Sequence, residues 1–491
     1  MKYFTLIIAL FSFLSTFSQS DKDLVQETVN KNVIEGHIYF LADDLLKGRE
    51  TGSPENKIAA SYLANTLRGY GVKPISATNS YFQEVKLQKS SPPKLFELII
   101  NGSPSKNKVV LEASAVDFKG ESIYLGYGLE EDYKDKDLRN KLVIIRGGSD
   151  EAKDARGAFG LRKTKMKLAK QAGAIGIIEL IDAKSDMWEF IDHNFNADRM
   201  EVATEEEQII DQGFIYIWLQ DENGSQATSF ENDKKTNVTI KMSSKSMSPI
   251  SSQNVVGIVE GTDPKLKNEY IIYSAHYDHV GVGTPDESGD TIYNGARDNA
   301  VGTTTVLSMA QNLAKYPTKR SALFILFTGE EKGLLGSSYY VDHPVLPLNQ
   351  MVYCFNSDNA GYNDTSVATI VGLERTTAAG HIKEAAIAFG LRAIDDPAPE
   401  QGLFDRSDNV HFAKKGIPAP TYSLGFTSFD GDVTKYYHRP GDEAQTLDYD
   451  YLYKFFSSYV LAGRLIANDT VTPFWVENDK YEMAGKKLYD R

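Results

Sequence analysis

The sequence predicts an α/β protein, a mainly parallel mixed sheet flanked by helices, interrupted by a β-rich inserted domain. Three observations carry this expectation. The chain has 491 residues, more than one compact core of ordinary size holds, so two domains or one domain with a large insertion are expected. From Asn254 onward short apolar runs alternate with stretches of helical spacing, the pattern of strands joined by helices in a parallel sheet. Between about residue 90 and residue 250 that pattern gives way to mixed strand-like runs and to Lys- and Ser-rich stretches such as Asp233 to Ser248. The main domain is therefore expected over 20–90 and 251–491, and the insertion over 91–250.

The chain opens on a short basic start, Met1-Lys2, then an apolar run from Phe4 to Phe17 and small residues at Ser18-Gln19-Ser20. This reads as a signal peptide over residues 1–19. The apolar core is shorter than the ~20 residues a membrane-spanning helix needs. No later segment is long and apolar enough to span, so the expected product is secreted or periplasmic. Cys354 is the sole cysteine; it permits no intramolecular disulfide and sits in an apolar run as a small core residue. A formal charge of −14 argues against a nucleic-acid partner, which requires a basic face.

Helical spacing is expected over Val25 to Leu46 and over Asn56 to Tyr70, the second stopped by Gly71. Inside the insertion, Phe96 to Ile100, Leu142 to Arg146 and Gly173 to Ile178 read as strands and Thr164 to Gln171 as helix. Beyond it, strands are expected at Tyr270 to Ala275, Ser321 to Phe327, Met351 to Phe355, Val367 to Val371 and Ile417 to Leu424. Helices are expected at Asn299 to Tyr316, Thr377 to Phe389 and Tyr451 to Ile466. Ser321 to Phe327 is apolar after its first residue, as a strand buried on both faces should be.

The residues just beyond these strands carry chemistry. After the first comes His276-Tyr277-Asp278-His279; Arg297-Asp298-Asn299 precedes the next helix. After the second strand comes Glu330-Glu331, after the third Asp358, and a turn-rich stretch brings His438. In an open α/β sheet such groups collect at one edge, outside the carboxyl ends of the strands. Two imidazoles and three carboxylates suit two zinc ions. A pair of ions close together needs a shared carboxylate between them, and one further carboxylate is needed as the base that takes a proton from the attacking water. Each piece alone is weak: an Asp-Asn pair before a helix is an ordinary N-cap, and a Glu-Glu pair after a strand is ordinarily solvated. Chemistry alone does not rank His276 against His279 as a ligand.

The runs Ser274 to Gly281 (SAHYDHVG), Asn294 to Gly302 (NGARDNAVG), Phe327 to Ser337 (FTGEEKGLLGS), Asn356 to Tyr362 (NSDNAGY) and Tyr436 to Asp448 (YYHRPGDEAQTLD) resemble the dizinc exopeptidases. That family includes bacterial leucyl aminopeptidases, aminopeptidase Y and the glutamate carboxypeptidases. The stretch Leu41 to Ser53 is also similar to the family's first helix and following loop, and the insertion resembles a protease-associated domain. The resemblance implies the zinc exopeptidase fold and two Zn²⁺ ions. It implies His276 and Asp358 at one ion, Glu331 and His438 at the other, and Asp298 bridging. Asp278 would hold the ring of His276, and Glu330 would be the general base of a direct hydrolysis with no covalent intermediate. Phe404 to Asn409 resembles an Arg-Ser-Asp-His element near the family's substrate pocket, which makes Arg406 a substrate-binding candidate; Asn409 stands where His is common.

The favoured expectation is an aminopeptidase acting on peptides, its acidic site edge receiving a free α-amine. A carboxypeptidase or dipeptidase of the same fold would instead need a cationic pocket, for which Arg406 and Arg375 are candidates. Glutaminyl cyclisation and a non-catalytic binding role are less favoured, because the ligand set is complete.

Overall fold

The computed structural model describes residues 19–203, 214–232 and 235–490. The chain forms two compact units, one comprising the chain up to Val85 and from Ser252 on, the other Lys86–Ser251. The expected leader, 1–19, lies outside the described residues except for Gln19. No helix among the described residues is long and apolar enough to cross a membrane.

The first unit contains helices α1 (Asp21–Thr28), α2 (Lys31–Leu41), α3 (Pro54–Tyr70), α4 (Gly302–Lys315), α5 (Leu335–Asp342), α6 (Ala379–Ala388), α7 (Asn409–Lys415), α8 (Tyr449–Asn468) and α9 (Glu482–Leu488). The strands of its sheet include β1 (Ser246–Val259, in this unit from Ser252), β2 (Tyr270–His276), β3 (Ser321–Phe327), β4 (Met351–Ser357), β5 (Val367–Val371), β6 (Arg392–Asp395) and β7 (Thr421–Leu424), neighbours in the order β6-β5-β7-β4-β2-β3-β1. β2 runs parallel to both β3 and β4, with Tyr273 opposite Phe324 and Phe355; β1 and β5 pair antiparallel to β3 and β7.

Successive strand residues point to opposite faces, and both faces are covered. Ile271, Tyr273, Phe324, Leu326 and Phe355 pack with Leu63, Met309, Phe455 and Tyr459 from α3, α4 and α8. Ile272, Leu323, Ile325 and Cys354 pack on the other side with Tyr340, Phe412 and Trp475. Each such side chain contributes roughly 1.5–3 kcal/mol when fully buried, so the centre of the sheet is a firm platform. Cys354 is wholly buried there, and burial pushes its thiol up to about 12. Because β2, β3 and β4 are parallel, the residues following them emerge at one edge.

The second unit, taken by itself, has a mixed sheet whose parallel centre is formed by Val116–Tyr124, Leu142–Arg146, Gly176–Ile181 and Ile215–Gln220. Antiparallel strands Lys235–Met242 and Lys108–Glu112 flank it. Lys165, on the helix Ala155–Gln171, is fully buried against Glu179 at 2.6 Å.

Several elements differ from expectation for local reasons. The single helix expected over Val25 to Leu46 is two helices: Asn30 leaves helical geometry and its side chain accepts from the backbone N–H of Asn32 and Val33, starting α2 anew. A 3₁₀ turn, Asp44–Arg49, then follows, with Lys47, Gly48 and Arg49 all at positive φ. The helix expected from Thr164 begins at Ala155, because Asp154 caps it through the N–H of Gly157; Gly157 and Gly160 weaken the local helical signal. The helix expected from Asn299 starts at Gly302, after a π-helical turn over Ala296–Val301.

Candidate active site

Three strand ends and two loops bring imidazoles and carboxylates together. His276 closes β2, and its Nε2 lies 3.2 Å from both Asp298 Oδ1 and Asp358 Oδ1. Glu331 follows β3. His438 Nε2 lies 3.0 Å from Glu331 Oε2 and 3.2 Å from Asp298 Oδ2. Asp298 therefore faces both groups, one oxygen to each. The donor atoms of His276, Asp298 and Asp358, and those of His279, Asp298, Glu331 and His438, each lie within 4.8 Å of one another.

The spacings test whether such a set fits a metal. Two ligand atoms at the usual zinc distances, subtending a tetrahedral angle, stand about 3.3 Å apart. The edges involving His276 and His438 match that. His438 Nε2 is buried, yet aligned on a hydrogen bond with neither carboxylate, which leaves its lone pair for a cation. No Lys or Arg among the described residues pairs with Asp298, Glu331 or Asp358. The donor set fits a divalent cation.

His276 Nδ1 lies 3.1 Å from the carbonyl oxygen of Asp278, which only accepts; Nδ1 is thus the donor and Nε2 faces the carboxylates. The Asp278 side chain, expected to hold this ring, is engaged more closely elsewhere. Its carboxylate is 3.9 Å from Nδ1. It accepts instead from Thr51 Oγ1 at 2.8 Å and from the backbone N–H of Glu330 and Glu331 at 3.2 and 3.4 Å. Two backbone donors and a hydroxyl satisfy this buried carboxylate, so Asp278 orients the Glu330-Glu331 turn with its side chain and His276 with its main chain.

Electrostatics match the geometry. Burial alone would lower the pKa of His276, but Glu330, Asp358 and Asp298 hold it well above the ordinary value. Burial likewise opposes protonation of His438, yet Asp298 and Glu331 lift it to about 10. Both report a field that attracts cations. Burial, with Asp358 and Glu331 adding to it, pushes Glu330 well above the usual carboxylate range, the direction that makes a carboxylate a better proton acceptor. Burial also pushes Asp408 up to about 7.

The surrounding residues are not singled out by sequence reasoning. Arg49, 1% exposed, donates to the carbonyls of Tyr277 (2.8 Å), Asn294 (2.6 Å) and Gly295 (3.1 Å), and to that of Leu41. It ties the turn after β2 to the one leading into Asp298. Asp442 accepts from the backbone N–H of Arg297 and Asp298 and pairs with the Arg297 guanidinium at 3.0 Å. Asn299 accepts from Gly302 N–H and donates to Ser357 O, joining the start of α4 to the end of β4. Asp442 stands inside the run Tyr436 to Asp448, but its partner is 145 residues away and no local signal marks it. His438 itself sits at φ 51°, in the left-handed region uncommon outside glycine, with Tyr437 stacked on its ring.

A cleft opens beside Asp298, Glu330 and Asp358. Val371, Leu403, Phe426 and Phe429 give it an apolar wall, and Arg406 and Tyr437 also line it. Arg406 is exposed and has no ion-pair partner among the described residues. Arg375, by contrast, is engaged by Asp479 through two hydrogen bonds (2.7 and 3.0 Å) and packs over Phe404, so it is not offered to a ligand. Asn409 donates to Ala419 O at 2.9 Å, a buried link between α7 and the approach to β7.

Comparison with known proteins places this arrangement. The model of Peptidase family M28 matches residues 254–461. Aminopeptidase YwaD of Bacillus subtilis (strain 168) is 29% identical over 237 residues, 48% of this chain and 47% of that protein. A probable leucine aminopeptidase 2 of Aspergillus oryzae is 26% identical over 182 residues, 34% of this chain and 32% of that one. The matches to these relatives thus span half or less of their length. Among solved structures, an aminopeptidase from Aneurinibacillus sp. strain AM-1 superposes with a TM-score of 0.59 at 20% identity, covering 92% of this chain and 97% of that one; the likeness is one of fold. The matched segment, 254–461, carries every one of the candidate ligands and the Glu330 carboxylate, and over that segment the chain is similar to peptidase family M28.

Proposed function

We propose that the protein is a secreted dizinc metallo-exopeptidase, an aminopeptidase that releases N-terminal residues from peptides. The observation that carries this reading is the pair of donor groups sharing Asp298, with edges of 3.0–3.2 Å, beside a Glu330 that belongs to neither edge. His276 and Asp358 would hold one zinc ion, Glu331 and His438 the other, and Asp298 both. Bound there, the ions would acidify water and polarise a peptide carbonyl. Glu330 accepts the proton from the attacking water and returns it to the departing amine. The apolar wall of Val371, Leu403, Phe426 and Phe429 receives an apolar side chain, and the surplus of carboxylates favours a free α-amine. We assign the second unit to the protease-associated domains, on the likeness of its sequence and its point of insertion. Export rests on the leader-like residues 1–19.

A carboxypeptidase or dipeptidase reading is favoured by one observation, the unpaired Arg406 guanidinium in the cleft. Two short peptides decide, one with a free amino terminus and one acetylated, assayed with zinc. Cleavage of the free peptide alone, from its amino end, is expected. Cleavage of both from the carboxyl end moves the assignment to a carboxypeptidase, and cleavage of neither removes it.

A further inference from the structure

His279 belongs to the second donor group, yet its spacing sets it apart. Its Nδ1 stands 2.6 Å from Glu331 Oε1, well short of the about 3.3 Å that separates two tetrahedral zinc ligands and close to the about 2.7–2.9 Å of a charge-assisted hydrogen bond. The ring is 0% exposed and its Nε2 has no hydrogen-bond partner. It packs close to Gly295, where an added Cβ would come within 2.6 Å of ring atoms Cγ and Cδ2, so the ring has little room to move. The other oxygen of Glu331 is the one that faces His438.

We propose that His279 is a positioning residue, donating Nδ1–H to Glu331 Oε1 so that Oε2 is presented to the cation shared with Asp298 and His438. The assignment rests on the dizinc reading above. Hydrogen-bond partners of this kind typically change metal affinity 10–100-fold when lost.

The test compares two amides in the full-length chain. His279→Asn keeps a donor near the Nδ1 position, whereas His279→Gln moves it outward towards Nε2; the folding burden of the two is similar. Zinc affinity is measured by competition with a chromophoric chelator on metal-stripped protein, and the cobalt-substituted absorption spectrum is recorded. Both zinc ions are expected to bind His279→Asn within about threefold of the unaltered chain, with an unchanged cobalt spectrum. One of the two is expected to bind His279→Gln about 10–100-fold more weakly. Equal affinities in the two variants overturn the proposal. So does a cobalt spectrum in His279→Asn that shows a lost nitrogen ligand, since that makes His279 a direct ligand. An unaltered chain that binds fewer than two ions overturns the dizinc reading instead.

Discussion

Two buried clusters of charge, one in each unit, are built in opposite ways. In the second unit Lys165 and Glu179 are both fully buried, and each oxygen of Glu179 is taken: Oε1 by Lys165 at 2.6 Å, Oε2 by Tyr216 and Trp218 at 2.7 Å each. The ammonium spends a further donor on Arg146 O at 2.9 Å. In the first unit Asp298, Glu331 and Asp358 pair with imidazoles but with no Lys or Arg among the described residues, and the two oxygens of buried Asp408 lack hydrogen-bond partners. A buried charge costs several kcal/mol unless paired and hydrogen-bonded, so the cluster around Lys165 is complete as it stands. The cluster around Asp298 carries more carboxylates than paired side-chain cations, an excess that a bound cation would offset. A balanced cluster reads as structure; an unbalanced one, with its carboxylates convergent, reads as a site.

The comparison is broken most forcefully at Glu330. Glu330→Gln is expected to lower turnover about 10²–10⁴-fold while zinc content and melting temperature hold, because the side chain is outside both shared-ligand edges; loss of metal from this variant would place Glu330 among the ligands. Next, Glu179→Ala leaves Lys165 buried and unpaired, and is expected to cost about 3–5 kcal/mol of stability in the second unit. Hydrogen exchange would register it across Leu142–Arg146 and Gly176–Ile181; unchanged protection there would contradict the pairing. Zinc supplied at about 100 times its dissociation constant is expected to stabilise the first unit by about 3 kcal/mol and to leave exchange in the second unit unaltered. A chelator should reverse the effect, and equal protection of both units would mean that the cation is not bound where proposed.

The smallest effect concerns a third buried group. His37 lies between the hydroxyls of Tyr62 and Tyr70 at 2.7 and 2.8 Å, and burial lowers its pKa to about 4. The unfolded chain then binds the proton first, so stability falls as pH drops through about 6.5 and continues to fall towards 4. Between pH 7.5 and pH 5 the contribution lost is about 2 kcal/mol. Urea titrations of His37→Phe, set beside the unaltered chain, should show a flatter pH dependence by that amount; parallel curves would show that the ring carries a proton in the fold.

Much of this architecture is legible in the sequence. The strands are visible because a sheet buried on both faces demands apolar runs, and Ser321–Phe327, apolar after its first residue, is buried along its whole length. The residues behind the strands can be grouped too, since β2, β3 and β4 must end at one edge. Contacts set by distant partners escape such a reading. Asp278 is placed by sequence to reach a ring two residues away, but Thr51 and the Glu330-Glu331 turn compete for it. Arg49 stands within a motif, and nothing nearby announces that its guanidinium meets carbonyls more than 220 residues on. The π-helical turn that aims Asp298 depends on Asp442 in the same way.

Arg49 and His438 also have a bearing on the order in which a ribosome delivers the chain. Synthesis runs from the amino end, and domains fold as their residues emerge. Arg49 appears early but has no carbonyl beyond Leu41 to hold until Tyr277, Asn294 and Gly295 follow. The donor groups themselves run from His276 to His438, so a nascent chain halted just short of His438 has one donor group whole and the other missing an imidazole. Completion of both donor groups is thereby postponed until His438 has been made.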